Sequence, residues 1–309
     1  MNGHEFVRLR MKTDTLAAEV IPELGGKVAS LRHNGADLLQ SPLNPYAERS
    51  STVGFDESDA SGFDECVPSI SACKIEGDIR IPDHGEFWRL ACQAEQPADN
   101  EILLTAIGSI LPLRFERRLK LQGGTLRVEY RLENTGTVEV PYLWSAHPLF
   151  AVDGGDIVSL PKSTARVCVE ASAHKRLGAK GTQLYWPLAD LKSGAKVDLS
   201  TTGDISEGVG DKLYTEAPPE GWAAVERKNL GLRIFVEFDA ALTPYMGLWL
   251  CYGGWPEGRG LRQQCVALEP CTAPGDSLAE AVEKGWARKL APGQADAWWM
   301  AITVTAGEQ

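Results

Sequence analysis

Glu269 closes an apolar run, Cys265-Val266-Ala267-Leu268-Glu269-Pro270, and a carboxylate so placed is costly unless it is paired or used. That makes Glu269 a functional candidate. Two of the five histidines stand in comparable settings. His147 ends the apolar stretch Pro141-Tyr142-Leu143-Trp144-Ser145-Ala146-His147-Pro148, and His84 sits in a short loop of charged, aromatic and glycine residues, Pro82-Asp83-His84-Gly85-Glu86-Phe87-Trp88-Arg89. On residue type alone, a satisfied structural histidine is the simpler reading of either. His4, His33 and His174 read as solvated surface. Asp64 and Glu65 form an acidic pair in Gly62-Phe63-Asp64-Glu65-Cys66-Val67-Pro68, which a solvated turn would equally explain. Asp211, in Gly208-Val209-Gly210-Asp211-Lys212-Leu213-Tyr214, is on composition an ordinary loop aspartate. His84 and His147 with Asp64 and Glu65 could ligate an ion, but no spacing resembles H-x-H or H-E-x-x-H, so no metal is expected. Gly258-Arg259-Gly260 is too short for a nucleotide-binding loop.

The elements that must position these residues are strands. Leu126-Arg127-Val128-Glu129-Tyr130-Arg131-Leu132-Glu133 alternates apolar and charged residues without a break, as a half-buried strand requires. Phe115 to Leu121 precedes it across Gln122-Gly123-Gly124, which predicts a hairpin. Leu232 to Phe238 alternates in the same way, and Trp298, Met300, Ile302 and Val304 share one face of the tail. Leu16 to Pro22 reads as a strand entering the turn Glu23-Leu24-Gly25-Gly26, with Lys27 to His33 returning. Ser277-Leu278-Ala279-Glu280 is a capping box that predicts one short helix ending at Gly285. Pro42 to Pro82 and Gly178 to Gly221 read as long irregular loops, where sites tend to be built on a rigid scaffold. A chain of 309 residues and 33.6 kDa suits two average domains or one large all-β body. With no repeat or linker, a single antiparallel β-sandwich domain over 1–309 with few short helices is expected.

Net charge is −11, and no run of Lys or Arg exceeds a few residues, which disfavours nucleic acid and anionic membranes as partners. No stretch approaches the roughly 20 apolar residues of a membrane span, and Met1-Asn2-Gly3-His4-Glu5 does not resemble a secretory signal. Seven scattered cysteines without a C-x-x-C read as reduced thiols of a cytoplasmic protein.

Five segments in order carry a resemblance: Ile21-Pro22-Glu23-Leu24-Gly25-Gly26, Asp83-His84-Gly85, His147-Pro148-Leu149-Phe150, Asp211-Lys212-Leu213-Tyr214 and Leu268-Glu269-Pro270. Together with Leu290-Ala291-Pro292-Gly293 they resemble the aldose 1-epimerase (galactose mutarotase-like) superfamily, over about residue 15 to the end. The resemblance implies a β-supersandwich with an open cleft for free sugars. It implies catalysis without a cofactor, and a monomer or homodimer. It casts Glu269 as general base, His147 as general acid, and His84 and Asp211 as sugar-binding residues. Ala151 stands where galactose mutarotases carry an asparagine, and Gly62 to Cys66 occupies the region of their substrate-binding arginine. Asp64 and Glu65 therefore join the candidate sugar-binding residues, with Arg89 as the basic residue nearest the His-Gly motif, suited to a hexose-phosphate variant. Trp88, Trp144 and Trp255 could stack on a sugar face. The rival readings are a non-catalytic sugar-binding module and a glycosidase using Glu269 with Glu65.

Overall fold

The computed structural model describes residues 5–50, 52–215, 220–258 and 260–307; His4 and Arg259 lie outside them. Sheet forms wherever the sequence alternates. In the strand Thr125–Asn134, Leu126, Val128, Tyr130 and Leu132 are buried while the residues between them are not. It pairs antiparallel with Leu113–Gln122 across Gly123-Gly124, where Gly123 adopts φ +55°, a conformation that favours glycine. The last strand, Ala295–Ala306, buries Trp298, Met300, Ile302 and Val304 and lies between Thr125–Asn134 and Leu232–Phe238 in an eight-stranded sheet.

The site is built on the other, eleven-stranded sheet. Six of its strands matter here: β1 (Phe63–Cys66), β2 (Ser145–Ala151), β3 (Arg166–Ser172), β4 (Val209–Thr215), β5 (Tyr245–Tyr252) and β6 (Gln264–Cys271). They lie in the order β1-β2-β6-β5-β4-β3, every pair antiparallel. The two sheets share one apolar core, in which the rings of Phe115, Tyr130, Trp144 and Trp298 pack against one another at centroid distances of 4.9–6.3 Å. Helix is scarce, as expected. Leu278–Glu283 is the one α-helix among the described residues, and Ser277 Oγ caps it by accepting from the Glu280 N–H at 3.3 Å.

Two expectations are corrected. The stretch from Pro42 to Pro82 contains β1 and the hairpin Cys73–Ile75 with Ile79–Ile81, and the stretch from Gly178 to Gly221 contains the whole of β4. β4 was illegible because it is a central strand buried on both faces, and its Asp211 and Lys212 are both buried. Binary alternation marks half-buried strands; charges inside a buried one break the pattern.

The wall beside the site is anchored by four buried charges. Lys27 Nζ lies 2.9 Å from Asp59 and 2.6 Å from Asp64, while Arg49 reaches Asp59 at 2.7 Å and Asp64 at 3.0 Å. Arg49 also donates to the Trp88 carbonyl and stacks over the Trp88 ring. Burial alone would raise the Asp59 carboxyl, but Lys27 and Arg49 outweigh it and hold it well below the usual range. Removing one partner strands the others, so Lys27→Met should cost about 3–5 kcal/mol of stability, read from urea midpoints at neutral pH. A loss under about 1 kcal/mol would show that the cluster is not what anchors this wall.

Candidate functional site

Strand alternation decides what the cavity receives. On β6, Leu268 faces the inter-sheet core and Glu269 the opposite side, where it is fully buried. Its cross-strand neighbour on β5 is Gly247, and a Cβ there would come within 3.2 Å of Glu269 Oε2. Glycine at that position leaves the carboxylate its room. On β2 the same phase turns His147 to the site and Phe150 into the core.

His147 Nε2 stands 3.8 Å from Glu269 Oε1, the oxygen for which no hydrogen bond is found. His84 comes from the loop, not from the sheet. Its φ of +58° and the +72° of Gly85 fold this loop tightly, and the residue after the histidine must be small, because a Cβ on Gly85 would collide with the Val67 backbone. The His84 ring stacks on Phe55 at 4.2 Å, meets the His147 ring edge-on at 5.2 Å, and lies with Nδ1 3.1 Å from Asp83 Oδ1. The two imidazoles and the carboxylate thus open on one cavity of about 270 Å³, with walls of Phe55, Trp249, Trp255 and Gln263. Trp249 Nε1 donates to Gln263 Oε1 at 2.9 Å, fixing an indole face toward the cavity.

Two charged lining residues were not singled out in the sequence: Lys212 and Asp276. Lys212 Nζ is bonded to Glu269 Oε2 and lies 4.0 Å from Asp276 Oδ1, which also accepts from the Tyr214 hydroxyl at 2.5 Å. Burial pushes the Glu269 carboxyl above its ordinary value against the opposing pull of Lys212. Burial likewise pushes His147 well below the usual imidazole value, and the positive charges of His84, Lys212 and Lys27 add to the effect. The arrangement sets a carboxylate beside an imidazole in a cavity with indole walls. No group of three or more potential metal ligands is assembled among the described residues.

The other sequence candidates lie elsewhere. Glu65 precedes Cys66 on β1 in the phase opposite to Asp64, so it enters the inter-sheet core; Tyr130 and Trp144 each donate to it at 3.0 Å, and burial raises its carboxyl to about 7. It cannot flank a sugar bond with Glu269, which removes the glycosidase pair. Asp64 shares the face of His147, its cross-strand partner, but both its oxygens are committed to Lys27 and Arg49. Arg89 is spent on the carbonyls of Ser50, Val53, Gly85 and Asp83. Asp211 is one residue out of phase: Lys212 takes the cavity side, and Asp211 turns away to Arg176, which donates from Nε at 2.8 Å and from Nη2. Of the three tryptophans named for stacking, Trp88 and Trp144 are fully buried in the packing, and Trp255 lines the cavity.

No family model and no curated protein matches this sequence. The fold does have known counterparts. A protein of Synechocystis sp. PCC 6803 superposes with TM-score 0.74 at 18% identity over 99% of this chain and 98% of that one. A protein of Escherichia coli K12 that carries a provisional aldose 1-epimerase name gives 0.71 at 16% identity over 98% and 100%. A galactose mutarotase related enzyme of Lactobacillus acidophilus gives 0.68 at 12% over 98% and 99%. The architecture is therefore the galactose mutarotase-like fold, an antiparallel all-β supersandwich, as the motif order implied. No helix among the described residues is long and apolar enough to cross a membrane, and all seven cysteines are free thiols.

Because Asp211 faces Arg176 and not the cavity, Asp211→Asn should leave sugar affinity within about twofold while lowering stability by about 1–3 kcal/mol, the cost of weakening a buried charged pair. Sugar titration by calorimetry and a denaturation curve on one preparation read both. Loss of sugar binding in a normally folded variant would return Asp211 to the site.

Proposed function

We propose that this protein is an aldose 1-epimerase that interconverts the α and β anomers of a free, uncharged aldose. The observation that carries the reading is the unpartnered Oε1 of Glu269, 3.8 Å from His147 Nε2, both residues lining the same cavity. Anomer exchange needs a base for the proton on O1 and an acid for the ring oxygen. Glu269 takes the O1 proton as the C1–O5 bond breaks and the C1 carbonyl forms, and His147, in its imidazolium form, delivers a proton to O5. Rotation about C1–C2 presents the other face of the carbonyl, and closure returns each proton along the reverse path. His84 holds His147 and the sugar in place; Asp276 and Gln263 are placed to bind hydroxyls, and Trp249 and Trp255 to stack on C–H faces. The reading supplies its own specificity. Lys212 is paired with Glu269, so it is not available to hold a phosphate on the substrate.

Glu269→Gln keeps size and hydrogen-bonding capacity but cannot accept the proton. Anomer exchange, followed by NMR, should fall about 10²–10⁴-fold, with sugar affinity changed far less. Near-wild-type exchange in a folded variant would sink the mechanism. Retained binding without any exchange in the wild type would make the protein a sugar-binding module.

The pH dependence follows from the two displaced groups. Glu269 must be ionised, and its raised value delays the rising limb; His147 must be protonated, and its lowered value brings the falling limb in early. The kcat/KM profile should be a narrow bell with its maximum on the acidic side of neutrality. A broad plateau through pH 8 would contradict the assignment of His147 as acid.

A further inference from the structure

Lys212 is a fully paired ammonium inside a cavity read as binding a neutral sugar, and the anomer-exchange chemistry does not itself call for it. Its surroundings indicate what it does. Two donors, Lys212 Nζ and Ser145 Oγ at 3.4 Å, converge on the same oxygen of Glu269, Oε2, and none is found for Oε1. One carboxylate oxygen is thus anchored and the other kept free toward His147. The anchor is itself held: Asp276 Oδ1 lies 4.0 Å from Lys212 Nζ, the Tyr214 ring lies under the ammonium at 5.3 Å, and Tyr214 donates to Asp276. β4 supplies Lys212 and Tyr214 from alternate positions on the same face.

Resting on the aldose 1-epimerase reading, we propose that Lys212 is the positioning residue of this site, fixing Glu269 by one oxygen and setting the charge balance under which Glu269 and His147 exchange protons. The groups facing this pair come from every neighbouring element. Lys212 and Asp276 act on Glu269 with opposite sign; His84 and Lys27 add positive charge near His147, and Asp83 sits behind His84. Asp64, the cross-strand partner of His147, is paired with Lys27 and Arg49, and Tyr214 and the thiols of Cys66, Cys265 and Cys271 are pushed up by burial and stay neutral. Among these charges Lys212 is the one in direct contact with the carboxylate, and it also opposes a cation on His147.

This dual influence gives a signature that a merely structural lysine lacks. Removing the ammonium makes Glu269 harder to ionise and His147 easier to protonate, so both limbs of the pH–rate bell move the same way, to higher pH. An opposite charge at hydrogen-bonding distance commonly moves a carboxylate by one to three pH units. Lys212→Met should therefore displace the whole bell upward by about one unit, Lys212→Gln should do the same while keeping a hydrogen-bond donor, and Lys212→Arg should restore the wild-type position. A structural role would lower the bell without moving it.

The experiment measures anomer exchange of D-galactose and D-glucose against pH for wild type and the three variants. It is paired with a ¹³C-NMR titration of the Glu269 carboxyl, assigned by its disappearance in Glu269→Gln. Displacement of the carboxyl titration in the Met and Gln variants, with recovery in Arg, supports the proposal. Limbs and titration unmoved in folded Met or Gln variants overturn it. If the wild type accelerates neither sugar, the epimerase reading falls and the carboxyl titration alone still judges whether Lys212 governs Glu269. Should Lys212→Met fail to fold, Lys212→Gln decides.

Discussion

The two-residue period of the β-strand is the constraint on which this site depends. Asp64, Glu65, Asp211 and Glu269 all come from strands of the large sheet, and on a strand neighbouring side chains point to opposite faces. Asp64 and Glu65 show the consequence. They are adjacent in sequence, yet Asp64 sits on the cavity side locked to Lys27 and Arg49, and Glu65 is in the inter-sheet core among Tyr130, Trp144 and Arg117. Asp211 and Lys212 repeat the pattern on β4. One step of phase separates a residue that lines a sugar-sized cavity from one that holds an arginine behind it.

A second constraint follows, because a sheet that buries carboxylates must pair them. The molecule does this in local units: Asp59 and Asp64 with Lys27 and Arg49, Asp211 with Arg176, Glu65 with Arg117 and two uncharged donors, and Glu269 with Lys212. The first three leave no carboxylate facing the cavity. Glu269, like Asp211, has only one oxygen satisfied by its ion pair, but it lines the cavity and its other oxygen lies 3.8 Å from His147 Nε2. Both donors, Lys212 and Ser145, go to Oε2, the oxygen that Gly247 gives room, and Oε1 has no hydrogen bond.

Much of the fold was legible in the sequence, and part of the site. The half-buried strands Leu113–Gln122, Thr125–Asn134, Leu232–Phe238 and Ala295–Ala306 write their faces as binary alternation, and Ser277 announces the helix through its cap. Glu269 and His147 were visible as charges ending apolar runs, and His84 as an imidazole in a glycine turn. Asp276 and Lys212 were not, for different reasons. Asp276 lies just beyond the apolar end of β6 in a stretch that looks like an ordinary loop, and only tertiary folding brings it to Tyr214 and Lys212. Lys212 was hidden by its neighbour, because a motif containing both Asp211 and Lys212 does not state the phase of the strand. Gly210 and Tyr214 share the face of Lys212, and Gly210 backs onto Trp249 of the cavity wall while the Tyr214 hydroxyl donates to Asp276, contacts that only the folded strand reveals.

The opposed displacements of Glu269 and His147 carry a cost that the cavity must recover from its ligand. Burial favours the neutral form of each group, and Lys212 opposes it at Glu269 while reinforcing it at His147. A bound sugar changes the balance by supplying what burial removed: the anomeric hydroxyl donates to the free oxygen of Glu269, and the ring oxygen accepts from an imidazolium N–H. Each contact stabilises the charged form of the group it touches. On the proposed reading, a bound sugar would therefore favour the charged form of both groups. On the same reading, a single lysine at the other oxygen of Glu269 would act on both partners, since it favours the carboxylate and opposes the imidazolium.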